Sequence, residues 1–118
     1  FRLALSSAMG LAQATNRYLD SKAPWKALAT DPQAAGTSLW VALVAISALK
    51  TTMFPFLPFS SRRLHRFLGF EGEPEEAGWN LQWPKPGRNL PKPEPLFVKL
   101  DDSVAEKEES LSRTGLQP

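Results

Sequence analysis

The sequence predicts an all-α fold, a bundle of helices followed by a proline-rich extended segment. Apolar residues recur at alternating spacings of four and three over residues 1–22, which places them on one helix face. A second apolar run, Ser38–Leu49, is twelve residues long and lies in a stretch without proline. Five of the eleven prolines fall in residues 78–97, where they disfavour helix and favour an extended chain.

The first helix is predicted over residues 1–22. Pro24 disfavours helix in the residue before it, so this helix should end near Lys22 or Ala23. The fixed φ of the same proline suits the first position of a short helix over about 24–29. The inner face of the first helix is predicted to comprise Phe1, Leu5, Ala8, Ala12, Thr15 and Leu19.

The second long helix has a clear predicted start and stop. Asp31 is an N-cap acceptor, and Pro32 follows at a position where its missing N–H is not needed. The helix should run to about Met53, before Pro55 and Pro58. Because it is apolar nearly all round its middle, we expect it to be the central helix.

A third, short helix is predicted from a cap at Ser60 or Ser61 to a stop at Gly69. Its inner face should be Leu64, Phe67 and Leu68, with Arg62, Arg63 and Arg66 pointing outward.

The chain is predicted to divide into three parts: a helical bundle over 1–83, a strap over 84–100 and an acidic tail over 101–118. Apolar residues punctuate the proline-rich stretch, which indicates a strap lying on a folded surface rather than a free linker. The tail should form a short helix near 102–111 and then fray.

The charge is distributed unevenly along the chain. Residues 1–69 carry eight Lys/Arg against two Asp, whereas residues 70–118 carry six Lys/Arg against ten Asp/Glu. A basic half fits a polyanionic partner and fits an ordinary solvated surface equally well. The twelve-residue apolar run is shorter than the roughly 20 residues that span a bilayer, so we expect a soluble protein without a membrane partner.

Catalytic chemistry is not indicated in this sequence. A phosphate-binding glycine loop, a nucleophile elbow and paired His/carboxylate spacing are all absent, and without cysteine no disulfide or thiolate metal site can form. The single histidine, His65, lies among three arginines and could bind phosphate, although a half-buried helix residue is the commoner case. The arginines could contact nucleic acid, a neighbouring domain or solvent. We expect no catalytic site, cofactor or metal in this stretch of chain.

The tryptophans divide into three groups. Trp40, in the apolar helix, is predicted to be core, and Trp79 and Trp83 are predicted to anchor the proline-rich stretch. Trp25 differs, because it directly follows Pro24 at a helix break, between Lys22 and Lys26 and after Arg17. An aromatic ring framed by positive charge suits the capture of an unstacked base. The alternative is that Trp25 fills the crevice between two helices.

Three segments carry a family resemblance: ALSSAMGLAQATNRYLDSKAPWKALATDP, VALVAISALKTTMFPFLPFSSRRLHRFLGF and LPKPEPLFVKLDD. In this order they resemble the anticodon-binding domain of bacterial-type methionyl-tRNA synthetase, over residues 1–102. The resemblance implies the helix bundle that class I aminoacyl-tRNA synthetases place after the catalytic domain, here incomplete. It also implies recognition of the CAU anticodon of tRNA(Met).

The resemblance implies specific roles for residues at the first helix break. Trp25, with Pro24, would stack on the first anticodon base, a cytosine, and Asp20 would disfavour wrong anticodons by repulsion. Arg17 would be a weaker phosphate contact, and Asn16 would support the bundle by hydrogen bonding. A further acidic position of some members is occupied by Gln13.

The remainder of such an enzyme would lie upstream. It would include the catalytic domain, the helices that complete the bundle and the sites for ATP, magnesium and, in an insertion, zinc; the enzyme would be cytoplasmic. The alternatives are the equivalent domain of another class I synthetase and a helical protein-interaction module. Because the bundle is incomplete, we expect marginal stability or association of this chain alone.

Overall fold

The computed structural model describes residues 1–97 and 100–115. Residues 98–99 of the predicted strap and residues 116–118 of the predicted tail lie outside the described residues. The described chain is 66% helix and has no strand, which confirms the all-α prediction.

Helix α1 (Arg2–Lys22) has the predicted bounds. Ala8 and Thr15 of its predicted inner face are buried. Phe1, predicted on the same face, is 92% exposed, and its ring lies 4.9 Å from that of Phe56 between centroids in an edge-to-face arrangement. After a turn at Ala23, a single-turn helix α2 (Pro24–Ala27) occupies the start of the predicted 24–29 helix.

Helix α3 (Pro32–Met53) packs against α1, α2 and the following helix α4 (Pro58–Phe67), and is therefore the central helix, as predicted. Its start is capped as expected, since the Ala34 N–H donates to Asp31 Oδ1 at 3.2 Å. It has 22 residues, and an 18-residue window within it has a mean hydropathy of 1.4, so it is long and apolar enough to cross a membrane by length and composition alone. The twelve-residue run seen in the sequence is therefore shorter than the apolar part of α3.

Helix α4 begins earlier than predicted, at Pro58 rather than near Ser60 or Ser61. Proline is accommodated there because the first helical position requires no N–H donor. The end is as predicted: Gly69 adopts a φ of 80° and the Phe70 N–H donates to His65 O at 3.2 Å. The inward side was predicted only in part, because Leu68 is buried with Ser61 and His65, whereas Leu64 and Phe67 are half-buried.

A short 3-10 turn (Pro74–Ala77) contacts α4, and residues 78–97, which we call the proline-rich segment, carry neither helix nor strand. Helix α5 (Asp102–Gly115) is longer than the predicted 102–111, so residues 112–115 are helical rather than frayed. It has no buried residue.

Candidate functional site

The break between α1 and α2 is made by one residue, Ala23, with φ 43° and ψ 60°. Its N–H donates to Leu19 O at 2.8 Å, and its carbonyl accepts from the Lys26 N–H at 2.9 Å. Ala23 therefore ends one helix and begins the next without an intervening loop.

This turn places Pro24 and Trp25 in opposite environments. Pro24 is among the fully buried side chains, and α2 packs on α3. Trp25 is 60% exposed, and its neighbours Lys22 and Lys26 are exposed as well. Pro24 thus takes the buried position between the helices, and the Trp25 indole is left accessible, with Lys22 three residues before it and Lys26 directly after it in sequence.

The other predicted site residues lie on the last turns of α1, and all of them are exposed: Gln13, Asn16, Arg17 and Asp20. Arg17 and Asp20 are three residues apart and share one helix face, which leads towards the turn at Ala23. Asn16 faces solvent, so the bundle-supporting hydrogen bond expected of it stays a prediction.

A buried polar network was not predicted from the sequence. Lys50 and His65 are each 1% exposed, and Lys50 Nζ lies 3.1 Å from His65 Nδ1. Lys50 also donates to Gln82 Oε1, and the Ser47 hydroxyl donates to Gln82 O at 2.6 Å. Burial lowers the pKa of Lys50 to about 8. We call these residues the Lys50–His65–Gln82 network; it joins α3, α4 and the proline-rich segment.

The network fixes the role of His65. An ammonium group only donates hydrogen bonds, so Nδ1 of His65 accepts from Lys50 and Nε2 carries the proton, which it donates to Glu71 O at 3.1 Å. Both ring nitrogens are therefore used inside the fold. The expectation that His65 is half-buried is wrong, because its side chain is fully buried. Neither of its ring nitrogens is left to bind phosphate.

Two of the three arginines hold other parts of the chain. Arg62 pairs with Glu75 and, at 3.5 Å, with Glu73. A backbone hydrogen bond and, as the smaller cause, the hydrogen bond from Arg62 lower the pKa of Glu75. Arg63 pairs with Glu94 at 3.7 Å and donates to the Leu96 carbonyl oxygen at 3.2 Å. These two arginines thus hold the acidic loop and the proline-rich segment.

The tryptophans of the bundle differ from expectation in one case. Trp40 is 36% exposed, so its core assignment is wrong. The Trp83 ring stacks on it at 5.7 Å between centroids and 21° between planes. Trp83 anchors the proline-rich segment, as predicted. Trp79 is 69% exposed and lines a cavity of about 270 Å³ with Phe54 and Pro55.

Within residues 1–97 and 100–115, His, Asp and Glu side chains form no group of three able to hold a metal ion. Proteins that stack on unpaired bases use accessible aromatic rings together with positive charge, and the exposed Trp25, with Lys22 and Lys26 close to it in sequence, offers both.

Comparison with known proteins places the chain more narrowly. The family model for the anticodon binding domain of methionyl tRNA ligase matches residues 1–114. The methionine–tRNA ligase of Dehalococcoides mccartyi is 54% identical over 116 residues, which are 98% of this chain and 21% of that protein. Those of Thermomicrobium roseum and Chloroflexus aurantiacus are 41% and 37% identical, covering 91% and 92% of this chain and 23% and 22% of those proteins.

The chain therefore belongs to the family of methionyl-tRNA ligase anticodon-binding domains, rather than to that of another class I synthetase. It spans about a fifth of the length of the curated relatives that it matches. No solved structure matches it significantly.

Proposed function

We propose that this chain recognises the CAU anticodon of tRNA(Met), with Trp25 stacking on the first anticodon base. The observation that carries the proposal is the contrast at the helix break, where Pro24 is buried and Trp25 is 60% exposed between Lys22 and Lys26. A splayed loop base presents a flat face to an aromatic ring, and such stacking contributes roughly 1–3 kcal/mol per base.

Residues of α1 and α2 supply charge near that ring in the sequence. Arg17, Lys22 and Lys26 attract loop phosphates, which makes binding dependent on salt. Asp20 lies between them in sequence and places a negative charge beside the anticodon, where it repels acceptor groups of wrong bases and so contributes specificity rather than affinity. Asn16, four residues before Asp20, supports the bundle by hydrogen bonding.

The chain acts within a methionine–tRNA ligase, which attaches methionine to tRNA using ATP and magnesium, and zinc where the insertion is present. We expect those groups to bind in other parts of the enzyme, and the residues of this chain to take no part in the chemistry. The partners of the chain are tRNA(Met) and, in the same enzyme, the catalytic domain and the upstream helices. The enzyme works in the cytoplasm.

The test is the affinity of the full-length protein for an anticodon stem-loop bearing CAU. Trp25→Ala should weaken binding by about 1–3 kcal/mol, the contribution of one stacked base. Trp79→Ala is a matched control, since it removes an indole of similar exposure, 69% against 60%, outside the site and should leave the affinity unchanged. Equal affinities of wild type and Trp25→Ala would show that Trp25 does not contact the RNA.

A further inference from the structure

Ala23 has an unusual backbone conformation for its residue type. At φ 43° it is, in the described ranges 1–97 and 100–115, the one residue other than glycine with a positive φ. The left-handed region is disfavoured for a residue with a Cβ atom, and a following proline restricts the backbone further. The chain uses glycine at its other left-handed positions, namely Gly69, Gly72, Gly78 and Gly87.

The surroundings hold Ala23 in this conformation from both sides. On the α1 side its N–H donates to Leu19 O, and on the α2 side its carbonyl accepts from the N–H groups of Lys26 and Ala27, at 2.9 and 3.1 Å. The buried side chain of Pro24 then fixes α2 on α3. Strained backbone of this kind persists only where the surrounding fold determines it, and it concentrates at functional sites.

Glycine would adopt the left-handed conformation of this turn with less strain, but it would leave the φ and ψ angles of the turn less restricted. Glycine populates positive and negative φ about equally, whereas alanine, once forced into the left-handed region, has a narrow range of φ and ψ. The direction of Trp25 depends on this range, because Trp25 is two residues beyond Ala23 and its ring has little packing of its own.

We propose that Ala23 is a positioning residue for anticodon recognition: its methyl group confines the turn and so presents the Trp25 ring ready to stack on an unpaired base. The inference rests on the proposed function. Presenting the ring in one orientation lowers the ordering entropy lost on binding. The strained backbone of Ala23 lowers the stability of the fold, and the fixed orientation of the Trp25 ring raises the affinity for the RNA.

The test is Ala23→Gly in the full-length protein, with the affinity for the CAU stem-loop and the midpoint of thermal unfolding measured together. The midpoint should be equal to or higher than that of wild type, because glycine is unstrained in the left-handed region. The affinity should fall about three- to tenfold, as expected if the bound orientation is populated only a third to a tenth of the time.

Two control variants separate positioning from structural support. Ala23→Asn keeps a Cβ atom and tolerates the left-handed region, so it should retain wild-type affinity. Ala14→Gly adds a glycine at an exposed position of α1, so it should lower the midpoint and leave the affinity unchanged.

Three results would overturn the inference: unchanged affinity in Ala23→Gly, a joint loss of affinity and midpoint in that variant, or a loss of affinity in Ala23→Asn. Failure of the proposed function has a different signature, since wild type and Trp25→Ala would then bind the stem-loop equally.

Discussion

At the residue scale, the exposure of Trp25 follows from the two residues before it. Ala23 turns the chain and Pro24 takes the buried place beside α3, so the bulkiest side chain of the segment remains outside. Local sequence left open whether Trp25 fills a crevice or faces solvent, because either can follow a proline. The left-handed conformation of Ala23 could not be predicted, since alanine rarely adopts it.

Asp20 offers a test of specificity at the same scale. If Asp20 lies beside the anticodon as proposed, Asp20→Asn removes a negative charge there, so binding of stem-loops with a wrong base should rise by roughly 3- to 10-fold, while CAU binding changes little. The measurement is the ratio of the two dissociation constants. Asp31→Asn is a suitable control, because Asp31 caps α3 and lies outside the proposed contact. An unchanged ratio in Asp20→Asn would remove this residue from discrimination.

At the element scale, α3 and α4 are joined to the proline-rich segment through the Lys50–His65–Gln82 network. Lys50 is buried with hydrogen-bond acceptors around it and without a carboxylate partner within the described network. Its ammonium group points at His65, Gln82 and the Phe70 ring, whose centroid is 4.4 Å away. The segment is therefore fixed by polar bonds at Gln82 and by aromatic stacking at Trp83.

The pH dependence of folding should report the burial of Lys50. Its pKa is about 8 in the folded chain and 10.5 ordinarily, so between these values the unfolded state binds more protons. The free energy of unfolding contributed by this residue should therefore rise from pH 8 towards pH 10.5. The measurement is denaturant unfolding at several pH values for wild type and Lys50→Met. Parallel pH profiles for the two proteins would contradict the assignment.

Periodicity and capping predicted most of the elements but not this network. The spacing of apolar residues predicted α1, the apolar run predicted α3, and Asp31–Pro32 predicted the start of α3. Lys50 ended the apolar run in the sequence, yet it lies three residues after Ser47 on the stripe that also contains Ala35, Ser38 and Ala42. The position of Lys50 on this stripe was the signal in the sequence that its side chain is buried. The partner Gln82 lies 32 residues away, and local sequence does not encode such a pairing.

At the scale of the whole molecule, the described chain is extended and its core is small. The buried apolar residues are three alanines and Leu68, while Leu3, Leu39 and Val41 are exposed. The radius of gyration is 18.3 Å, against about 13–14 Å for a compact domain of this length. The exposed apolar side chains on α1 and α3 are consistent with a bundle that is completed by further protein.

Stability of the isolated chain should reflect this open core. We expect residues 1–118 alone either to unfold below about 60 °C, the upper range for mesophilic domains, or to associate. Thermal unfolding with light scattering or sedimentation measures both properties. A monomer with cooperative unfolding above that temperature would contradict the expectation.

The central claim is that Trp25 reads the first anticodon base by stacking. The most direct measurement is the affinity of the full-length protein, wild type and Trp25→Ala, for two stem-loops that differ only at that base, CAU and UAU. We predict that wild type prefers CAU, that the preference is lost in Trp25→Ala with the fold retained, and that wild-type affinity falls with rising salt. An equal preference in both proteins, or salt-independent binding, would contradict the account and favour a helical protein-interaction module.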